Sequence, residues 1–213
     1  MKFLLSHLFL WGVLVVPTYA YVTVEPTFPE QYEPYAVQSD FYTSTTYLGS
    51  LTGEPQLYEF TIDVSDTLPL MLLQRASGSI EPLGLLVVEV LGDGKGVREV
   101  ARQNIPPEKW QLYADPVLSI ALRQTPAFEV ALMPGTYQVE VSAPDNQGKY
   151  ALMMGIDGTS VGYFNTLGAV RAVHSHFGYS FLRMLGSSYI YWPLGIMLLL
   201  LVVYKLFRLH MRL

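Results

Sequence analysis

The chain has 213 residues, 51% of them hydrophobic and 15% charged, with no cysteine and a formal net charge of −5. This composition excludes a disulfide-stapled domain, a thiol nucleophile and a thiolate metal site. It also argues against nucleic acid as a partner, because a phosphate backbone needs a basic surface. The charge is unevenly placed. All 18 acidic residues lie between Glu25 and Asp157, and every charged side chain beyond Asp157 is Lys or Arg.

Residues 1–20 read as a signal peptide. Lys2 is a short positive region, Phe3 to Val16 an apolar core too short to span a bilayer, and Thr18-Tyr-Ala20 a small-residue cleavage site. Residues 21–40, rich in Pro, Glu and Tyr, are expected to form an extended leader that packs against nothing.

Strand signals then follow at short spacing from 41 to 157. Expected strands are Phe41–Leu48, Leu57–Val64, Leu68–Leu73, Leu85–Leu91, Val97–Arg102, Val117–Leu122, Phe128–Leu132, Thr136–Val141 and Lys149–Met154. In the second, Tyr58, Phe60, Ile62 and Val64 alternate with polar residues and are expected to share one face. The apolar run Leu68–Leu73 suits a strand buried on both faces or packed at an interface. Val97–Arg102 is expected to pair with Leu85–Leu91 through the turn 92–96. Gly49–Pro55 is expected to be a turn and Gln103–Pro116 a long loop. No segment here has helical periodicity, so the pattern implies a jelly-roll-like antiparallel β-sandwich.

Met133-Pro-Gly-Thr-Tyr-Gln-Val-Glu-Val141, followed by Asp145-Asn-Gln-Gly-Lys-Tyr-Ala-Leu152, resembles the closing hairpin of bacterial pre-peptidase C-terminal-type domains. Gly53–Phe60 is similar to their early strand. The resemblance covers about residues 41–157 and implies a small jelly-roll-like sandwich, an accessory module for binding or targeting, sometimes with calcium. Those domains usually accompany a catalytic domain. Here the sandwich leads straight to an apolar C-terminal segment. The whole layout also resembles prokaryotic single-pass membrane proteins with a signal peptide, one sandwich and a C-terminal span, and no activity comes with that likeness. The lack of cysteine and of any Asn-x-Ser/Thr site (Asn104, Asn146 and Asn165 all miss it) agrees with a prokaryotic exported protein.

From 158 to 187, Phe164, Leu167, Val170, Val173, Phe177, Phe181 and Leu185 recur at intervals of three and four. They form the stripe of an amphipathic juxtamembrane helix, with Arg171, His174 and Arg183 off the apolar line and Gly178 at a bend. Such a helix either lies on anionic lipid or a partner, or packs its stripe under the sandwich. Residues 188–207 read as one transmembrane helix with Pro193 in its first turn, and 208–213 as a cytoplasmic tail. Tyr189, Tyr191, Trp192 and Tyr204 are expected at the membrane interfaces, and Lys205, Arg208 and Arg212 on the cytoplasmic side. This predicts a type I protein of the plasma or inner membrane with an extracytoplasmic sandwich.

Chemistry is sparse. No serine-hydrolase, zinc-protease or phosphate-loop motif is present, so the expectation is a protein that is not an enzyme. His174 and His176 sit two apart, a poor metal pair on a helix. No cofactor is expected, with calcium a weak candidate at the turns holding Asp93, Asp145 and Asn146. Trp110 and Tyr113 either form a glycan or peptide platform or plug one end of the core. Two functional classes result. One is an interaction or assembly subunit of a membrane or cell-envelope complex, with membrane lipid and membrane proteins as partners. The other is a surface module recognising glycan or envelope polymer.

Overall fold

A computed structural model describes residues 22–28, 30, 32–38, 43–92, 94–115, 117–155 and 162–211. The signal-peptide reading therefore lies outside the described residues. Twelve strands are present among them: β1 (Val22–Val24), β2 (Tyr35–Ala36), β3 (Thr45–Thr52), β4 (Gln56–Ile62), β5 (Asp66–Arg75), β6 (Gly84–Val90), β7 (Val97–Asn104), β8 (Gln111–Asp115), β9 (Ile120–Gln124), β10 (Phe128–Leu132), β11 (Gly135–Ser142) and β12 (Gln147–Met154). Helices α1 (Tyr163–His176), α2 (Phe181–Met184) and α3 (Ser188–His210) follow.

The strands form a β-sandwich of two mixed sheets. One sheet has the order β1-β3-β12-β5-β9-β8, with β10 also on β5, and the other has the order β2-β4-β11-β6-β7. β9 and β10 lie one after the other along the same edge of β5. Thr125 bridges them. Its N–H donates to Leu72 O and its Oγ1 accepts from Leu72 N–H, each at 3.0 Å.

Alternation along the strands explains the main core. Tyr47 and Leu51 of β3, Leu68, Leu70 and Leu72 of β5, and Tyr150 and Leu152 of β12 point inward. They meet Tyr58 and Phe60 of β4, Val87 of β6, and Tyr137 and Val139 of β11. Three side chains form a polar thread through this core. Tyr58 Oη and Tyr150 Oη are 2.9 Å apart, Tyr150 O–H donates to Gln56 Oε1 at 2.6 Å, and Gln56 Nε2 donates to Ser50 O at 3.0 Å. Burial pushes both phenols well above their ordinary range. Tyr150 faces Gly49 across the β3–β12 ladder. A Cβ at Gly49 would sit 2.2 Å from Tyr150 Cζ, so only glycine fits beneath the ring.

The outward residues of the first sheet make a second core. Leu48, Leu73, Leu122 and Ala151 face Val170, Val173 and Phe177 of α1 and its C-terminus. The molecule thus has three layers: sheet, sheet and helix. β5 is the shared wall, with Leu72 in one core and Leu73 in the other. That is the physical meaning of its unbroken apolar run.

Several expectations need correction. The leader is packed: β1 pairs with β3 and β2 with β4, both parallel, and Phe28, Tyr35 and Val37 lie against the main core. Aromatic residues in a Pro-rich stretch can cover sheet edges without forming long strands. β3 runs through Gly49 to Thr52, so the turn covers only 53–55. The expected loop 103–116 contains a short 3-10 turn at Pro107–Lys109 and strand β8. Val117–Ser119 is a turn, and β9 starts at Ile120. Val64 is exposed beyond the end of β4, while Tyr58, Phe60 and Ile62 share the inner face. β7 does pair with β6, with a register shift between Val87 and Val88.

Candidate functional site

The densest set of unusual contacts lies where the sandwich meets α3. α1 ends as the sequence requires. Gly178 adopts φ +69°, its N–H donates to Ser175 O at 3.1 Å, and Tyr179 N–H donates to His174 O at 2.8 Å. This pair of bonds with a left-handed glycine is a Schellman cap, so Gly178 ends the helix rather than bending it. The chain then turns through α2 into Ser187, the residue before α3.

The apolar stripe divides in two. Val170, Val173 and Phe177 are buried against the first sheet. Phe164, Phe181 and Leu185 are exposed, Phe164 at 82%. His174, expected off the stripe, is instead buried beside it. Its Nε2–H donates to Leu118 O at 2.6 Å, and Nδ1 has no hydrogen-bond partner among the described residues. His176 Nε2–H donates to Tyr150 O at 3.0 Å. Burial depresses the His176 imidazole, opposed by that backbone bond, with Lys149 adding to the depression and Glu25 resisting it. A carbonyl accepts and never donates, so each Nε2 must carry a proton. The two histidines are anchors of α1 on the sandwich.

Asp115, at the end of β8, and the turn Val117–Ser119 form the socket for this joint. Asp115 is buried; its Oδ1 accepts from Val117 N–H at 2.7 Å and Leu118 N–H at 3.0 Å, and its Oδ2 from Tyr113 O–H at 2.9 Å. The carbonyls of the shaped loop then receive the helical segment: Leu118 O takes His174, and Val117 O takes Ser187 O–H. Tyr179 O–H donates to Ala121 O at 2.9 Å. Gly186 sits close to this loop: a Cβ there would lie 2.6 Å from Ser119 Oγ, so the serine hydroxyl would have to turn away.

α3 carries the second half of the joint. Pro193 is its sixth residue, one turn later than expected. A proline there has no N–H to offer the carbonyl four residues back, that of Tyr189. Tyr163 O–H of α1 supplies the missing donor to Tyr189 O at 2.6 Å, and the two tyrosine rings stack with centroids 5.8 Å apart. Pro193 thus withdraws the helix's own i+4 donor from that carbonyl, and α1 brings a hydroxyl to it.

Residues Ser188–Leu209 form one helix of 22 residues, long and apolar enough to cross a membrane. At ~1.5 Å per residue it extends roughly 33 Å. Tyr191, Trp192, Tyr204, Lys205 and Arg208 are exposed on it. Tyr189 is buried in the joint. Arg212 lies outside the described residues.

Of the other candidate residues, Tyr113 reaches this joint through Asp115, and Trp110, Asp145 and Asn146 lie elsewhere. Trp110 is 6% exposed within the main core, its Nε1 buried without a partner among the described residues. It plugs the sandwich and offers no face to a ligand, because the 3-10 turn before it tucks the ring inward. Tyr113 is half-buried with its hydroxyl on Asp115. Asp93 lies outside the described residues. Asp145 Oδ1 accepts from Gln147 N–H at 3.2 Å and Asn146 Oδ1 from Ala143 N–H at 3.0 Å, so both side chains shape their hairpin. Asn146 has φ +48°. Among the described residues no three His, Cys, Asp or Glu side chains group to hold a metal. Sequence reasoning missed Tyr163, Asp115 and Ser187. Only Asp115, ahead of a proline, carried a turn signal.

No protein-family model matches the chain, and no curated protein matches it. It is similar to several solved structures. The pre-peptidase C-terminal domain of a Bacillus anthracis collagenase shares 17% identity over 54% of this chain and 90% of that one, with a TM-score of 0.33. The Yersinia pseudotuberculosis-derived mitogen shares 13% over 56% and 90%, at 0.36. Aeromonas hydrophila PliG, a periplasmic inhibitor of g-type lysozyme, shares 15% over 65% and 98%, at 0.35. With TM-scores this low, none of them adds to what the chain's own sheets show.

Proposed function

We propose that this chain is a non-enzymatic, single-pass membrane protein of a prokaryotic cell envelope. Its sandwich, of the pre-peptidase C-terminal kind, lies outside the cytoplasm and serves as an interaction or assembly subunit of a membrane complex. The observation that carries this reading is the buried joint. Ser187, immediately before the apolar helix, is fully buried and hydrogen-bonded to the sandwich at Val117 O. A module that captures a soluble polymer gains from a slack stalk that widens its reach. A subunit that meets neighbouring membrane proteins gains from a fixed height and orientation, because preorganisation lowers the entropy lost on association. The joint is of the second kind.

The orientation follows from Lys205, Arg208 and Arg212, which suit a cytoplasmic end. The non-enzymatic reading is supported by the two histidines, whose Nε2–H groups are committed to backbone carbonyls. Burial of Trp110 removes the aromatic platform on which a glycan-binding reading rested. Cross-linking in native membranes followed by affinity capture tests the proposal. A stoichiometric membrane complex is expected. Retention of envelope polymer by the sandwich, with no protein partner captured, would overturn it.

A further inference from the structure

An open apolar groove of about 570 Å³ lies beside the joint. α1 contributes Phe164, Leu167 and Arg171, α2 contributes Phe181, and α3 contributes Ile190, Leu194 and Met197. Three features bear on what fills it. First, the groove is continuous with the apolar helix: its far wall is the first turns of α3, so whatever solvates the start of that helix also reaches the groove. Second, Phe164 and Phe181 in its lining are more than half exposed, too much apolar surface for a water-facing joint. Third, the lining has one charged side chain, Arg171, which is exposed and forms no ion pair among the described residues. Arg183 nearby is already stacked on Tyr179.

We propose that the groove is a binding site for an anionic phospholipid. An acyl chain lies along Leu167, Ile190 and Leu194, and the headgroup phosphate pairs with the Arg171 guanidinium. Phosphate suits guanidinium because two parallel N–H donors meet two oxygens. The segment that carries Arg171 is basic throughout, with no acidic residue after Asp157. This rests on the membrane-anchored reading. It adds that the joint selects a lipid by charge, so that a bound lipid becomes part of the surface offered to a partner.

The test uses the full chain in nanodiscs of phosphatidylcholine, with or without a minor fraction of phosphatidylglycerol. Native mass spectrometry then reads the lipid retained on release into detergent. Retention of phosphatidylglycerol over phosphatidylcholine is expected. Arg171→Glu should lower that preference by about fivefold or more, from the loss of one basic side chain near the bilayer. Leu167→Gln should weaken retention of both lipids. Both variants should still fractionate with membranes after a carbonate wash and should melt like the parent. Equal retention of the two lipids by the parent, or an unchanged preference in Arg171→Glu, overturns the proposal. Because the chain has no cysteine, Leu167→Cys supplies a single thiol in the groove. Efficient cross-linking of that thiol to a second copy or to another protein would assign the groove to protein contact instead. Loss of the parent from the washed membrane fraction would sink the anchor reading itself.

Discussion

Phe177 and Phe164 belong to the same apolar stripe, and the structure gives them opposite surroundings. Phe177 is 3% exposed in the core between α1 and the first sheet, while Phe164 is 82% exposed. Truncating a well-packed phenylalanine costs about 3–5 kcal/mol, from lost transfer energy plus the cavity left behind. An exposed position away from such packing changes stability by less than about 0.5 kcal/mol. For a chain of this size each kcal/mol lowers the melting temperature by roughly 2–4 °C. Phe177→Ala should therefore melt about 6–20 °C below the parent, and Phe164→Ala within about 2 °C of it. Circular dichroism melts of the full chain in a mild detergent would measure both, with Phe177→Leu as a volume-conserving control that recovers most of the loss. Equal shifts for the two alanine variants would refute the division of the stripe. So would a loss under about 1 kcal/mol at Phe177, because α1 would then not be part of the folded sandwich.

Gly49→Ala places a methyl 2.2 Å from Tyr150 Cζ. Overpacking of this kind costs about 1–3 kcal/mol, and denaturant titration should show Tyr150→Leu in the same chain relieving much of it. The folded state depresses the His176 pKa, mainly by burial. Its contribution to stability is therefore complete above the unfolded value of about 6.5 and is lost as pH falls from there toward the folded value. Melts between mildly acidic and neutral pH should show this slope, and His176→Gln should flatten it. Asp115→Asn puts an amide where a carboxylate accepts from two backbone N–H groups and Tyr113 O–H. A loss of about 1–3 kcal/mol is expected, with protease sensitivity appearing first between α1 and α3.

Period-two patterns made most of the sandwich legible. β4, β10 and β11 fall close to where alternation puts them, because each has one apolar face and turn residues at both ends. The apolar run of β5 suited burial on both faces or an interface, and the structure shows the first, with Leu72 and Leu73 in different cores. What escaped was non-local. β1 and β2 are short and take their partners from strands many residues away, and a parallel pairing leaves no hairpin turn to signal it. β8 lay hidden among prolines because Leu112 and its neighbours face solvent at a sheet edge. The helical stripe was visible, but periodicity says only that a face is apolar. It cannot say that Val173 meets a sheet while Phe164 does not. Trp110 illustrates the same limit: an aromatic in a Pro-rich stretch suits a platform or a plug, and the main core decides for the plug.

The contact between Tyr163 and Tyr189 shows how a helix defect becomes a structural joint. In an uninterrupted helix the N–H at position 193 would bond the Tyr189 carbonyl. Pro193 removes that donor, and Tyr163 O–H replaces it from another helix at 2.6 Å. If this exchange holds α1 to α3, the two residues must be coupled. Tyr163→Phe keeps the ring stack but removes the hydroxyl's bond to that carbonyl, a cost of about 1 kcal/mol or more. In the Pro193→Ala background the restored backbone N–H satisfies that carbonyl within α3. Tyr163→Phe should then cost only a few tenths of a kcal/mol, giving a coupling of about 1 kcal/mol or more in a double-mutant cycle. Pro193→Ala should also loosen the joint, because a carbonyl satisfied within α3 no longer recruits a donor from α1. A spin label on a unique cysteine in α3, paired with one in β7, would read this as a broadened distance distribution. The same Tyr163→Phe cost in both backgrounds would mean that the tyrosine acts through its ring alone and that the proline has no part in orienting the sandwich.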